Sequence, residues 1–183
     1  NDVHSDTHAI YLDDMLSGHM VFGNVFYDIG GCGTFNNGGP DNVYENNLFA
    51  KCDRAHYATR RGVGHINCKQ GDVYYERFLG ALLKFDYQNP PWSTAYPKAA
   101  AIPNECTSPE FEKYKNPFGS RFIRNLGWKN NRFLYEGAGG IGALNYYETK
   151  DNIENQDPLF YDESKLILAL RESSPAYDIA GFE

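Results

Sequence analysis

The feature that most constrains this chain is an internal repeat. "HMVFGNVF" at 19–26 and "NVYENNLF" at 42–49 align at an offset of 23 residues. The offset sets His19 on Asn42, Met20 on Val43, Gly23 on Asn46, Asn24 on Asn47, Val25 on Leu48 and Phe26 on Phe49. Carried back, it sets Ile10 on Gly33, Tyr11 on Thr34, Leu12 on Phe35, and Asp13-Asp14 on Asn36-Asn37. A second step reaches Ala55, His56, Tyr57, Ala58, Thr59 and Arg60. "AIYLDD", "CGTFNN" and "AHYATR" then read as successive rungs of one strand column. A period of about 23 residues, with short strands and Asn or Gly at the corners, predicts a parallel β-helix coil. One coil cannot bury its inward face alone, so stacking at about 4.8 Å must close the core. Asn24 and Asn47 would sit one above the other and hydrogen-bond along the stack.

The repeat breaks after "GVGHINCKQG". Residues 72–86 read as a helix, with Asp72 as N-cap and Tyr75, Phe78, Leu79, Leu82 and Phe85 on one face. "NPPWSTAYPKAAAIP" is punctuated by proline. The insertion, about 70–116, is expected to pack on the flank of the coils. "FGSRFIRNLGWKNN" returns to the coil pattern, with Asn125 as a further ladder candidate.

The bulk properties exclude more than they assign. At 183 residues the chain reads as a single domain, 1–183. A net charge of −7 without a basic stripe argues against nucleic acid and anionic membranes as partners. No apolar run approaches the roughly 18 residues of a spanning helix. The 14 Tyr and 12 Phe suit a β-rich protein or a sugar-binding surface. Cys32, Cys52, Cys68 and Cys106 lack CxxC spacing, which disfavours zinc. They read equally as buried thiols or as two disulfides of a secreted protein, with three pairings open. No N-x-S/T sequon occurs. The chain opens on Asn1 without a signal peptide, and we read it as processed or trimmed.

"HAIYLDDMLSGHMVFGNVFYDIG", "DNVYENNLFAKC", "PPWSTAYP" and the ending "DPLFYDESKLILALRESSPAYDIAGFE" together resemble right-handed parallel β-helix proteins of the pectate-lyase-like superfamily. Among enzymes the chain is most similar to β-helical glycoside hydrolases, a group that includes fucosidases and xylanases. The resemblance implies an all-β, right-handed parallel β-helix with a helical insertion, extracellular, acting on or binding a polysaccharide or glycan. It speaks for the fold more than for the reaction, because one scaffold hosts many chemistries. The chain departs from the family at its third rung. There "YATRRG" carries Arg61-Gly62 as expected, but Thr59 stands where the family often has an acid.

The candidate catalytic residues are Asp13 and Asp14. Glycoside hydrolysis needs two carboxyl groups, about 5 Å apart for retention or roughly 6.5–9.5 Å for inversion. Two rungs rise roughly 9.6 Å. An acid at Thr59 opposite Asp13 would have suited inversion, and Thr59 does not titrate usefully. If a bend brought Asp13 and Asp14 together, like-charge proximity could restore an acid/base pair. The competing reading is structural: Asp-Asp and Asn-Asn are residues that turns select. A third is a Ca²⁺ site of Asp13, Asp14, Asn36 and Asn37. No other cofactor is implied. The substrate-binding candidates are Tyr11, Asn36, His56, Tyr57 and Arg60. Tyr11 and Tyr57 are expected one rung either side of Thr34 on the outward face. His8, His19, His56 and His65 read as hydrogen-bonded structural residues, with His56 and Arg60 kept as ligand candidates because their rung faces any groove. Trp92 and Tyr96 read as glue between insertion and coils.

The first coil would otherwise expose an apolar axial end, so the chain reads as the C-terminal part of a longer solenoid. An upstream part of it, or another subunit, is expected at that end. The alternative function is a non-catalytic structural or interaction protein, supported by Thr59 in the acid position.

Overall fold

The computed structural model describes residues 7–137 and 139–182. Most strands are only three to five residues long, because a corner interrupts each apolar run. β1 (His8–Leu12), β4 (Cys32–Asn36), β7 (Arg54–Ala58) and β10 (Arg132–Glu136) form one parallel sheet in the order β1-β4-β7-β10. β2 (Met20–Phe22), β5 (Val43–Glu45), β8 (Ser120–Ile123) and β11 (Tyr147–Lys150) form a second. β3 (Val25–Tyr27), β6 (Leu48–Ala50) and β9 (Leu126–Trp128) form a third. β12 (Phe160–Asp162) and β13 (Ile167–Leu170) pair antiparallel.

The corners explain the sequence at the breaks. Gly23, Asn46, Arg124 and Asp151 all have positive φ, at 68°, 52°, 55° and 55°. Gly and Asn tolerate that region best, which accounts for the Gly-Asn and Asn-Asn pairs. Each of the four precedes an asparagine of one ladder. The backbone N–H and side-chain Nδ2 of Asn24 donate to Asn47 Oδ1 at 3.0 and 3.1 Å. Asn47 repeats this on Asn125 at 3.0 and 3.1 Å, and Asn125 on Asn152 at 2.8 and 3.1 Å. Asn47 Nδ2 also donates to the Val21 carbonyl at 2.9 Å. Replacing the fully buried Asn47 by Ala strands several of these groups, and each lost buried partner costs about 1–3 kcal/mol. We expect Asn47→Ala to lose about 2–3 kcal/mol in urea titration. An unchanged midpoint would show the ladder to be decorative.

Three apolar clusters hold the chain together. Leu12, Val21, Phe26, Tyr44, Phe49, Phe122 and Phe133 fill the space between the sheets. Gly33 lacks a Cβ because one would sit 2.6 Å from the Phe49 ring. Leu48, Leu126, Phe160, Ala176 and Ile179 bury the third sheet under the C-terminal segment. The third cluster, with Ile66, Leu79, Tyr87, Ile102, Phe111 and Tyr114, belongs to the stretch between β7 and β8 and takes Met15 from the first corner.

That stretch overturns the expected fold class. It forms α1 (Arg61–His65), α2 (Val73–Tyr75), a π-type turn over Glu76–Gly80, α3 (Trp92–Ala95), α4 (Pro97–Ala100) and a 3-10 turn over Pro109–Lys115. Helical turns make up 23% of the structure, and the sheets are several short ones of four, four and three strands. The all-β, right-handed parallel β-helix is corrected to a mixed α/β arrangement, with no continuous solenoid among the described residues. The physical cause is the insertion, which builds its own core instead of adding rungs. Asp72 does cap it as expected, its Oδ1 accepting from Tyr74 N and Tyr75 N at 3.1 Å each. The expected helix over 72–86 is shorter, widening into the π-type turn after Tyr75. Cys68 and Cys106 form a disulfide within the same stretch, while Cys32 and Cys52 are buried thiols.

Candidate functional site

The register of the first sheet decides which side chains reach the surface. Ile10 pairs with Thr34 and Thr34 with His56. Tyr11, Phe35, Tyr57 and Tyr135 therefore line one outer column. The Tyr11 and Phe35 rings stack at 4.4 Å and Phe35 and Tyr57 at 4.3 Å, both near parallel. Stacked this closely, the inner rings spend their faces on one another and offer solvent mainly edges and hydroxyls. Beside them runs a polar row. Asn37 Nδ2 donates to Asp13 Oδ1 at 2.7 Å and to the Tyr11 hydroxyl at 3.1 Å. Thr59 Oγ1 donates to Asn37 Oδ1 at 2.7 Å.

Asp13 and Asp14 sit on the turn after β1 and are engaged differently. Burial raises the Asp13 carboxyl, but donors from Asn37, Tyr11 and the Asp14 amide outweigh it and hold the group below the ordinary carboxylate range. Burial, then the hydrogen bond to Asp13, push the Tyr11 phenol up to about 12, so it stays a proton donor at neutral pH. Both Asp14 oxygens are taken by cations: Arg61 Nε donates to Oδ1 at 3.0 Å and Arg77 to Oδ2 at 3.1 Å. Arg61 also donates to the Tyr74 hydroxyl at 3.1 Å.

Asp14 lies on the wall of a cleft of about 790 Å³ lined by residues of the first corners and the insertion. Met15 and Leu16 form one wall, and Phe78, Leu82, Phe85 and Tyr96 form the other. The second charged pair on its wall is Lys98 with Asp41, at 2.8 Å. Concave, mostly apolar sites of this size are the usual form of a small-molecule site.

The sequence-derived candidates separate in space. Tyr11 and Tyr57 share the outer column, but Phe35 lies between them, not Thr34. Asp13, Asn37 and Thr59 share the polar row, whereas Asn36 is fully buried, donating to the Gly39 carbonyl at 2.9 Å and to the Tyr147 hydroxyl at 2.6 Å. His56 also points inward and is fully buried, with Thr34 Oγ1 at 2.9 Å and the Tyr147 hydroxyl at 3.2 Å. Burial pushes its imidazole down to about 3. Asn36 and His56 are thus corrected as ligand candidates: both are interior, and His56 takes the hydrogen-bonded structural role the sequence favours. Arg60 turns to Asn116 Oδ1 at 2.7 Å and lies over the Tyr146 ring, while Arg61 takes the place beside Asp14.

The four-oxygen Ca²⁺ arrangement is not assembled, because Asn36 faces inward and Asn37 presents its amide N–H to Asp13. Among the described residues no group of three or more His, Cys, Asp or Glu gathers as for a metal. Asn37 enters the sequence reading only as a candidate Ca²⁺ ligand, whereas Arg61, Tyr74, Arg77, Asp41 and Lys98 are not among its site candidates. Of these five, the Arg61-Gly62 match to the family pattern points toward Arg61 alone. No protein-family model, curated protein or solved structure matches the chain.

Proposed function

We propose that the chain is a carbohydrate-active, glycoside-hydrolase-like module that holds a glycan at the Asp13–Asp14 corner. The observation that carries this is the polar row Asp13–Asn37–Thr59 beside the exposed Tyr11, opening at Asp14 onto the cleft. The exposed members, an ionised acceptor at Asp13 and the Tyr11 phenol, suit sugar hydroxyls, and the buried Asn37 and Thr59 hold them in place. The Cys68–Cys106 disulfide supports an extracellular setting.

A second reading, a non-catalytic interaction module, is favoured by the state of the carboxylates. Hydrolysis needs a protonated carboxyl as well as an ionised one. Asp13 is held ionised, Asp14 is bound by two guanidinium groups, and Thr59 brings no third carboxyl. A glycan panel scored for both binding and cleavage decides between the two. We expect binding that weakens about tenfold or more in Asp13→Asn, the scale of a charge-assisted hydrogen bond. Cleavage abolished by Asp13→Asn would remove the non-catalytic reading. Binding without cleavage would remove the hydrolase, and a panel with neither would remove the glycan altogether.

A further inference from the structure

The cleft and the corner differ in chemistry. The corner is polar and exposed, whereas the centre of the cleft is walled by Met15, Leu16, Phe78, Leu82, Phe85 and Ile102. Apart from the exposed Tyr96 at the outer wall, the polar side chains on the cleft wall are already engaged within the protein. Asp14 is held by Arg61 and Arg77, Asp41 by Lys98, and Tyr74 receives Arg61. Ser17 Oγ donates to the Met15 carbonyl at 2.6 Å. A sugar ring lodged in the centre would bury hydroxyls without partners, at about 1–3 kcal/mol each. An anion would have to displace an aspartate from each cation. An uncharged apolar group meets neither cost, and its burial is favourable at about 0.8 kcal/mol per methylene.

We infer that the cleft takes the apolar aglycone of an amphiphilic glycoside, an alkyl or aryl group, whose sugar lies at the Asp13–Asp14 corner. The sugar half rests on the proposed glycan reading; the apolar half rests on the cleft alone. The groups are contiguous, because Asp14 belongs to the corner and to the cleft wall alike. The exposed Phe85, at 56%, and Tyr96, at 59%, leave the outer wall open to an entering chain.

The test is isothermal titration of the intact, disulfide-bonded chain with three probes: octyl β-glucoside below its micellar concentration, methyl β-glucoside and n-octanol. A blocking variant, Ala95→Trp, adds bulk at an exposed position on the cleft wall and away from the core. We expect octyl glucoside to bind at least about tenfold more tightly than methyl glucoside, and Ala95→Trp to remove that advantage while the protein keeps its melting temperature. Equal affinity for the octyl and methyl glucosides would overturn the inference and leave the glycan reading standing. So would octyl binding that Ala95→Trp does not change, provided a second filling variant, Ala99→Phe, agrees. Octanol bound as tightly as octyl glucoside, and blocked by Ala95→Trp, would keep the apolar site and remove the sugar from the corner.

Discussion

At pH 4 the chain should be about 3 kcal/mol less stable than at pH 7 through His56 alone. The imidazole is fully buried against Tyr44, Phe122 and Tyr147, with ring centroids at 4.4, 5.1 and 5.4 Å. Thr34 and Tyr147 satisfy its two nitrogens without supplying a negative charge. Burial pushes its folded-state value down to about 3, against 6.5 for the free side chain. The direction follows from which state takes the proton. Above pH 6.5 both states hold a neutral imidazole and no penalty exists. Below it the unfolded chain binds a proton that the folded chain refuses, so stability falls by about 1.4 kcal/mol per pH unit until the folded value is reached. Urea titrations at pH 7 and pH 4 on wild type and His56→Gln isolate this part. Glutamine can serve the same partners without titrating, so the variant should lose some packing at both pH values and show a shallower slope between them. The carboxylates held low, Asp13, Asp53, Asp162 and Glu163, steepen the slope in both proteins equally and cancel in the comparison. Parallel slopes would mean that His56 is solvated, and the buried Thr34–His56–Tyr147 chain would have to be abandoned.

How much of this was legible in the sequence depended on whether a repeat position kept its residue type. Asn24, Asn47 and Asn125 stack as their spacing suggested, because a side chain that both donates and accepts along the stack is preserved by that role. Asn152 completes the ladder and lies past the 137–146 segment, where the period is lost. In the first sheet tyrosine recurs at Tyr11, Tyr57 and Tyr135, but Phe35 breaks the column, and the steps are uneven, Ile10 to Thr34 and then Thr34 to His56. A uniform step misplaced the middle rung by one residue. That slip put Asn36 beside Asp13 where Asn37 belongs, since neighbouring residues of a strand point to opposite faces. His56 shares the repeat position of the inward Ile10 and is hydrogen-bonded as the structural reading expects, but the hydroxyls that satisfy it come from Thr34 and from Tyr147, far along the chain, so its ligand candidacy fails. The cleft was illegible. Asp14, Arg61, Arg77, Asp41 and Lys98 meet only through the packing of the insertion on the first corners, and no periodicity encodes that. The fold class failed at the same place, because the helical turns between β7 and β8 turn a repeat-bearing chain into a mixed α/β one.

Reducing the Cys68–Cys106 disulfide should cost about 4 kcal/mol, concentrated in the insertion. The bond joins positions 38 residues apart with Cα atoms 5.3 Å from each other. Opening a loop of that length returns conformational freedom to the unfolded chain, and the loop-closure relation puts this at about 4 kcal/mol. The segment it closes carries Arg77, Phe78, Leu82, Phe85, Tyr96 and Lys98, all of them on the cleft wall. Its core is one small cluster, with Leu79, Tyr87, Ile102 and Phe111 at the centre, and such a cluster has little stability to lose. The strands depend on other contacts, the asparagine ladder and the interior Phe49 and Phe122. Loss of the bond should therefore loosen the insertion before the sheets. In Cys68→Ala/Cys106→Ala, hydrogen exchange should quicken across 72–103 while amides of β5 and β8 keep their protection, and protease should cut first near the exposed Pro91–Tyr96 turn. Binding of octyl glucoside, if the cleft takes it as proposed, should fall with insertion order, even though neither cysteine lines the cleft. If both regions lost protection together, the insertion and the sheets would be one cooperative unit. If neither changed, the insertion would be held by its packing and by the Asp14–Arg77 and Asp41–Lys98 pairs. Exposed pairs of that kind contribute only about 0–1 kcal/mol each, and for that reason we expect the disulfide to dominate.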